Sequence, residues 1–218
     1  MQQRGFSDTE FQARVLKLQE GMAAQGLGAL LLTTEADVRY VTGYQTRFWE
    51  SPSRPWFALV PSTGKPIAVI PSIGAQLMAS TWVEDIRTWR APDLTDDGVG
   101  LLNQTLDEVL GSQGGRVGIP GGQESQLRMP LADFWQLQAD RPDRDFTHDA
   151  NLVRKTRSIK SSAEISKIEA ACVVAGQAFA RLEEVVQPGQ TQAQIFRGFQ
   201  KLLLDEGADF VPYVAGGF

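Results

Sequence analysis

The chain has little of what most hydrolytic and metal sites are built from. One cysteine, Cys172, and one histidine, His148, occur in 218 residues. A lone cysteine excludes an internal disulfide and agrees with a reducing, cytoplasmic setting. With one residue of each kind, far apart, neither zinc spacing nor a Ser/His or Cys/His nucleophile pattern is present. Long hydrophobic runs are absent too. The longest, Leu27–Leu32 with Gly28 inside it, is far too short to cross a bilayer, so no membrane partner is expected. Met1-Gln-Gln-Arg-Gly5 lacks the apolar stretch of a secretory signal. An excess of positive charge is missing as well: 21 Lys and Arg against 26 Asp and Glu give a net charge of −5. That argues against a nucleic-acid partner. What remains, 42% apolar and 22% charged, is ordinary globular composition and excludes global disorder.

The residues present spell alternating elements. Ser7 and Glu10 have capping-box spacing, Phe6 and Phe11 staple spacing, and Phe11, Val15, Leu18 and Met22 form one stripe ended by Gly26. Ala29–Leu32 reads as a strand buried on both faces. A short helix follows over Asp37–Val41, before Gly43. Trp56–Val60 and Ile67–Ile70 read as strands joined by a hairpin-like turn. Ser72 is a candidate cap for a helix reaching Ser80. Ile86–Trp89 and Arg116–Ile119 read as strands, and helices are predicted over Val99–Leu110 and Met129–Gln138. Residues 1–150 are therefore expected to form an α/β domain with a mixed sheet.

After a linker at 151–160 the pattern changes, and 161–218 reads as a second, unfinished unit. Ser161 and Glu164 form a capping box ahead of Ile165, Ile168, Cys172, Ala175, Phe179, Leu182 and Val186, a stripe of roughly six helical turns. Pro188-Gly189 breaks it. Thr191 and Gln194 open another helix, stopped by Gly207, and Phe210–Ala215 reads as a strand. Two helices and one strand cannot bury both faces of the long helix, so its stripe is expected to be uncovered or to fold against something else.

Several candidate sites have plain structural readings. Asp93, Asp96 and Asp97 fit a solvated helix start, and Asp140, Asp143 and Asp145 with Arg141 and Arg144 fit a charged turn. Cys172 on an apolar stripe reads as buried packing, and His148 as a surface or capping imidazole. Gly114-Gly115, Gly118 and Gly121-Gly122 match no complete phosphate-loop pattern. The stretch Tyr44-Gln-Thr-Arg-Phe-Trp-Glu-Ser-Pro-Ser-Arg-Pro-Trp56 is different. Aromatics with arginine are enriched at recognition surfaces, so Arg47, Phe48, Trp49, Arg54 and Trp56 are candidates for contacting a ligand or another subunit. An aromatic cluster packed under a loop, with arginines lying over it, is the other reading.

Leu30-Leu-Leu-Thr-Thr-Glu-Ala-Asp-Val-Arg-Tyr-Val-Thr-Gly43-Tyr44 resembles the strand–helix signature of the amino-terminal domain of creatinases, prolidases and Xaa-Pro aminopeptidases. Leu152-Val-Arg-Lys-Thr-Arg-Ser-Ile-Lys160-Ser-Ser-Ala-Glu164-Ile-Ser-Lys-Ile168 resembles that family's junction into its catalytic domain. Phe210-Val-Pro-Tyr-Val-Ala-Gly-Gly217 resembles the first strand of that domain. The resemblance implies an α/β domain followed by the start of a pita-bread domain in a usually homodimeric metallohydrolase that cleaves bonds next to proline. It implies two divalent metals, Mn, Co or Zn, held by Asp, His and Glu. The matching ligand motifs would lie beyond Gly217, so no metal or catalytic residue is assigned, and this chain is expected to be a truncated relative, inactive alone. Through creatinases, the resemblance also suggests Arg54, with Arg47 as fallback, as a cross-subunit contact to a substrate carboxylate. The alternatives are a non-catalytic dimerisation or ligand-binding module and a creatinase-like hydrolase of a small carboxylate.

Overall fold

The computed structural model describes residues 4–51, 54–111 and 115–216. Pro52, Gly114 and Gly217, singled out above, lie outside them. The chain divides at Ile159/Lys160 into two compact units.

The first unit opens with α1 (Asp8–Gln25). The Ser7 hydroxyl accepts from the Glu10 amide at 3.3 Å, and Phe6 meets Phe11 edge to face at 6.1 Å. The elements that follow are β1 (Ala29–Leu32), α2 (Glu35–Thr42), a 3₁₀ turn at Arg47–Glu50, β2 (Phe57–Pro61) and β3 (Ile67–Pro71). Then come α3 (Ala75–Met78), β4 (Asp85–Trp89), α4 (Val99–Leu110), β5 (Gly115–Ile119), α5 (Leu131–Asp140), β6 (Arg144–His148) and α6 (Leu152–Ser158). Ser72 does not cap α3. It begins a 3₁₀ turn that runs directly into that short helix, and Pro71 precedes it with no side-chain cap. Residues 151–160, read as a linker, contain α6, whose Leu152 and Val153 are buried.

The sheet is mixed, in the order β4-β3-β2-β1-β5-β6. β2 runs antiparallel to both its neighbours, Leu31 facing Leu59 and Ala58 facing Ala68, while the β1–β5, β5–β6 and β3–β4 pairs are parallel. Strand residues alternate between two cores, as the pleat requires. Leu30, Leu32, Ala58, Val60, Ala68 and Ile70 pack with Val15, Leu18 and Met22 of α1, Val38 and Val41 of α2 and Leu152 of α6. Ala29, Leu31, Phe57, Leu59, Ile67 and Val69 pack with Val99, Leu102 and Leu106 of α4 and Leu137 of α5. The sheet is thus the middle of three layers, and its central strands are buried on both faces.

This layering sets a switch point between β1 and β5, the place where α/β sheets form a crevice. β1 leads into α2 on one face, whereas β5 leads, through residues 120–130, into α5 on the other. Where neighbouring parallel strands send their chains to opposite faces, a gap opens beyond the strand ends, the usual seat of a ligand in α/β sheets.

The second unit contains α7 (Ser162–Ala180), a 3₁₀ turn at Leu182–Glu184 and α8 (Gln192–Asp205). Both predicted capping boxes form, Ser161 with Glu164 and Thr191 with Gln194. The long helix is shorter than its apolar stripe. It ends at Ala180, after which Leu182 and Val185 turn in to pack on Ala178, Phe199 and Leu202, and Phe179 meets Phe199 at 4.7 Å. Arg181 bridges this bend, donating to Glu184 at 2.9 Å and to Glu206 at 2.6 Å. The strand expected at Phe210–Ala215 does not form: these residues are irregular and are not part of the six-stranded sheet. Instead Val214 packs on the small core, and Gln192 Nε2 donates to the Gly216 carbonyl at 3.0 Å. Ile165, Ile168 and Phe179 are exposed. Cys172, expected as buried packing, is also exposed, since the core of this unit covers only the end of α7 nearest Ala178.

Candidate functional site

The site is built on the segment that leaves α2 and crosses the strand ends. Thr34 caps α2, accepting from the Asp37 amide at 3.3 Å and donating to the Asp37 carboxylate at 2.8 Å. Asp37 is buried and also receives Arg157 of α6 at 2.7 Å, which ties the helix after β1 to the last one of this unit. Gly43 ends α2 with φ +77°, and a Cβ there would lie 2.7 Å from the Phe11 ring, so conformation and space both call for glycine.

Beyond Gly43 the aromatics separate into two kinds. Tyr44, Trp49 and Trp56 are buried, with ring centroids 5.5 Å apart for Tyr44–Trp56 and 5.8 Å for Trp49–Trp56. Burial pushes the Tyr44 phenol above its ordinary pKa, with Thr46 opposing it through the hydroxyl. Phe48 lies parallel to Trp56 at 6.1 Å and is 41% exposed. Of the predicted contacts, Trp49 and Trp56 are therefore core residues, and Phe48 is the aromatic that faces out. The packed-cluster reading describes Tyr44, Trp49 and Trp56, and the cluster carries one exposed ring, Phe48.

The three arginines of this region have different partners. Arg47 is paired on the surface with Glu50 at 3.0 Å. Arg128, on which no motif fell, donates to the Arg54 carbonyl at 2.8 Å, the Trp49 carbonyl at 3.3 Å and the Ser51 carbonyl, and stands 5.1 Å above the Trp49 ring. Burial pushes its pKa down, and the charge of Glu35 opposes that shift. The half-buried Arg54 offers its carbonyl to Arg128, and among the described residues nothing forms an ion pair or hydrogen bond with its guanidinium. A guanidinium in that condition suits a carboxylate, which it can grip with two parallel hydrogen bonds.

The remaining candidates are structural. Asp93 accepts from the Thr95 and Asp96 amides, Asp96 from the Gly100 amide, and Asp97 from Trp89 Nε1 at 3.1 Å. Asp140 accepts from Asn103, and Asp145 from Arg116. Arg141 holds the Asp143 carboxyl down to about 2. Arg144 is buried, donating to Asn103 at 2.6 Å and to Asp107 at 2.5 Å. His148 is partly exposed, its Nε2 3.4 Å from Asp149, which spends its buried carboxylate on the Asn151 and Val153 amides at the start of α6. Among the described residues no three of His, Cys, Asp and Glu come together as metal ligands, so the residues present do not fit a metal pair and none is assigned to one.

A mixed sheet sandwiched between helices, with an arginine-bearing loop across its switch point, defines an α/β domain. Residues 14–159 match the family model described as the Creatinase/Prolidase N-terminal domain, and the chain belongs to that family. It is 27% identical over 192 residues to a Sinorhizobium fredii protein described as a hydrolase/peptidase, covering 87% of this chain and 48% of that one. It is 24% identical over 213 residues to the probable dipeptidase PepE of Mycobacterium bovis, covering 96% and 53%. Among solved structures, the Thermococcus sibiricus prolidase superposes with a TM-score of 0.77 at 18% identity, over 96% of this chain and 53% of that one. The chain thus spans about half the length of the relatives it matches.

Proposed function

We propose that these residues form the amino-terminal half of a Xaa-Pro peptidase-type metallohydrolase. In this reading the domain works as one half of a homodimer and holds the carboxylate end of a proline-containing peptide through Arg54. One observation carries it: of the three arginines around the crevice, Arg54 alone keeps its guanidinium clear of the described partners, while Arg47 and Arg128 are engaged. The exposed Phe48 ring lies on the same loop and offers an apolar face beside the cation. Because no metal-ligand set is assigned here, no step of hydrolysis is routed through these residues. Their part is to bind and orient.

Two measurements test this. Purified residues 1–218 incubated with manganese should retain no stoichiometric metal and show no Xaa-Pro dipeptide turnover above background. Turnover by this polypeptide would refute the assignment of the chemistry to other residues. In a longer chain carrying these residues with a metal-binding half, Arg54→Ala should raise KM for a free-carboxylate substrate by roughly tenfold, because a hydrogen bond to a charged group contributes ~1.5–3 kcal/mol. The same variant should leave KM for the carboxamide analogue nearly unchanged. Equal KM values for the carboxylate in both proteins would remove Arg54 from the site.

A further inference from the structure

Arg128 is the least expected member of this region. It lies three residues before α5, and its main-chain amide donates to the Thr33 hydroxyl at 2.8 Å, directly after β1. Its side chain then crosses the strand ends to reach the carbonyls of residues 49, 51 and 54. A partly desolvated guanidinium is ordinarily matched to a carboxylate. Here, among the described residues, no carboxylate pairs with it directly, and the hydrogen bonds recorded for its guanidinium go to main-chain oxygens. Its Nη1 serves Arg54 and its Nη2 serves Trp49 and Ser51, whereas a lysine ammonium carries its three N–H donors on one nitrogen and does not reproduce that spread.

The three carbonyls bracket the loop that carries the candidate contact. Trp49 lies in the 3₁₀ turn, Ser51 directly after it, and Arg54 two residues before Trp56. By holding both sides, Arg128 sets where the Arg54 main chain lies, and so where its side chain starts. The cation over the Trp49 ring adds a second hold on the same segment.

We infer that Arg128 is a positioning residue that latches the main chain at Trp49, Ser51 and Arg54 through their carbonyls and thereby presents the Arg54 guanidinium at the crevice. The use made of Arg54 rests on the function proposed above, whereas the latch is a property of this chain and is tested on it alone.

The test is amide hydrogen exchange, read by mass spectrometry, on the 218-residue chain and its Arg128→Ala, Arg128→Lys and Arg54→Ala variants. Amides of residues 47–51 and 54–57 should exchange about tenfold or more faster in Arg128→Ala, while those of the central strands stay as they were. Arg128→Lys should recover little of that protection. Methylguanidinium at millimolar concentration should recover most of it in Arg128→Ala by refilling the vacated fork. Arg54→Ala should leave residues 47–51 unchanged, since the latch uses the Arg54 carbonyl and not its side chain. Exchange within about twofold of the parent in both Arg128 variants would overturn the inference. So would full recovery by lysine with none from methylguanidinium, which would reduce the role to a point charge. If Arg128→Ala fails to fold, Arg128→Lys keeps the stem and the charge and decides the matter. A latch upheld here together with an unchanged carboxylate KM for Arg54→Ala would sink only the preceding functional reading.

Discussion

Replacing Trp56 with alanine is expected to destabilise the first unit by about 3–5 kcal/mol, the range for truncating a large buried aromatic. Trp56 is 1% exposed and lies at the centre of the loop cluster, in ring contact with Tyr44, Phe48 and Trp49. Its removal opens a cavity that three aromatic rings border, and rings collapse into such a space poorly because they move as rigid plates. The indole N–H contributes nothing to offset this, since it is buried with no partner among the described residues. Trp56→Phe should therefore cost less than about 2 kcal/mol, because it keeps most of the volume and loses no hydrogen bond. Urea unfolding followed by circular dichroism, on the transition that belongs to the first unit, measures both. A loss below about 1 kcal/mol for the alanine variant would mean that the cluster is not a packed core. The functional consequence is local: Trp56 supports the rings of Phe48 and Trp49, so its loss should loosen the presentation of Arg54 before the sheet itself gives way.

Gly74→Ala should destabilise the same unit by about 2–3 kcal/mol, a large effect for one methyl group. The backbone does not demand glycine, since Gly74 has φ −90° and ψ −9°, where alanine is at ease. Space does. A Cβ at this position would lie 2.4 and 2.8 Å from carbons of the Trp56 ring and 2.7 Å from the Tyr44 hydroxyl. Both rings are fully buried and packed on each other, so neither has a free direction in which to retreat. A domain of this size shifts its midpoint by ~2–4 °C per kcal/mol, so a drop of roughly 4–12 °C is expected in thermal unfolding. Gly64→Ala makes a useful contrast. Nothing lies near its Cβ position, but its φ of +87° disfavours alanine, so any cost there is one of backbone strain and not of crowding. A Gly74→Ala protein as stable as its parent would show that the cluster repacks freely, and it would weaken the Trp56 prediction with it.

Both predictions concern residues that hold the site and not residues that would touch a ligand. Arg54 can be presented only if the segment before it is held in place. In the structure that hold comes from two directions: aromatic packing beneath through Trp49 and Trp56, and the guanidinium of Arg128 across the crevice. An arginine is a costly side chain to order, with about 2 kcal/mol of rotamer entropy, so a rigid base under it matters to any affinity it provides.

Much of the fold was legible in the residue order. The starts of α1, α7 and α8 are written in Ser7, Ser161 and Thr191, because a cap is a contact over three residues and needs no tertiary partner. Ala29–Leu32 declared a strand covered on both sides, and the turn after Pro61 declared the antiparallel pair of β2 and β3. Readings that depended on a distant neighbour did less well. Phe210–Ala215 has strand composition, yet its backbone is irregular. Cys172 sits on an apolar stripe, yet the small core of its unit leaves it exposed. The stripe runs on to Val186, yet the helix stops at Ala180, and Leu182 and Val185 turn in to pack on the small core.

The candidate site shows the same division. Arg54, Arg47, Phe48, Trp49 and Trp56 were picked out by composition, since aromatics and arginines crowd into a short stretch. Which of them belong to the core, and which arginine is left clear, was decided by tertiary structure. Arg128 was invisible, and for a definite reason: its partners are main-chain carbonyls more than seventy residues earlier in the chain. A carbonyl is the same chemical group in every residue and leaves no mark in the order of side chains. The sequence by itself determined where helices begin, which strands are buried on both sides, and to which family the pattern belongs. The structure alone decided which cation holds the loop and which one the loop holds out, because that choice is made by contacts across the crevice and not along the chain.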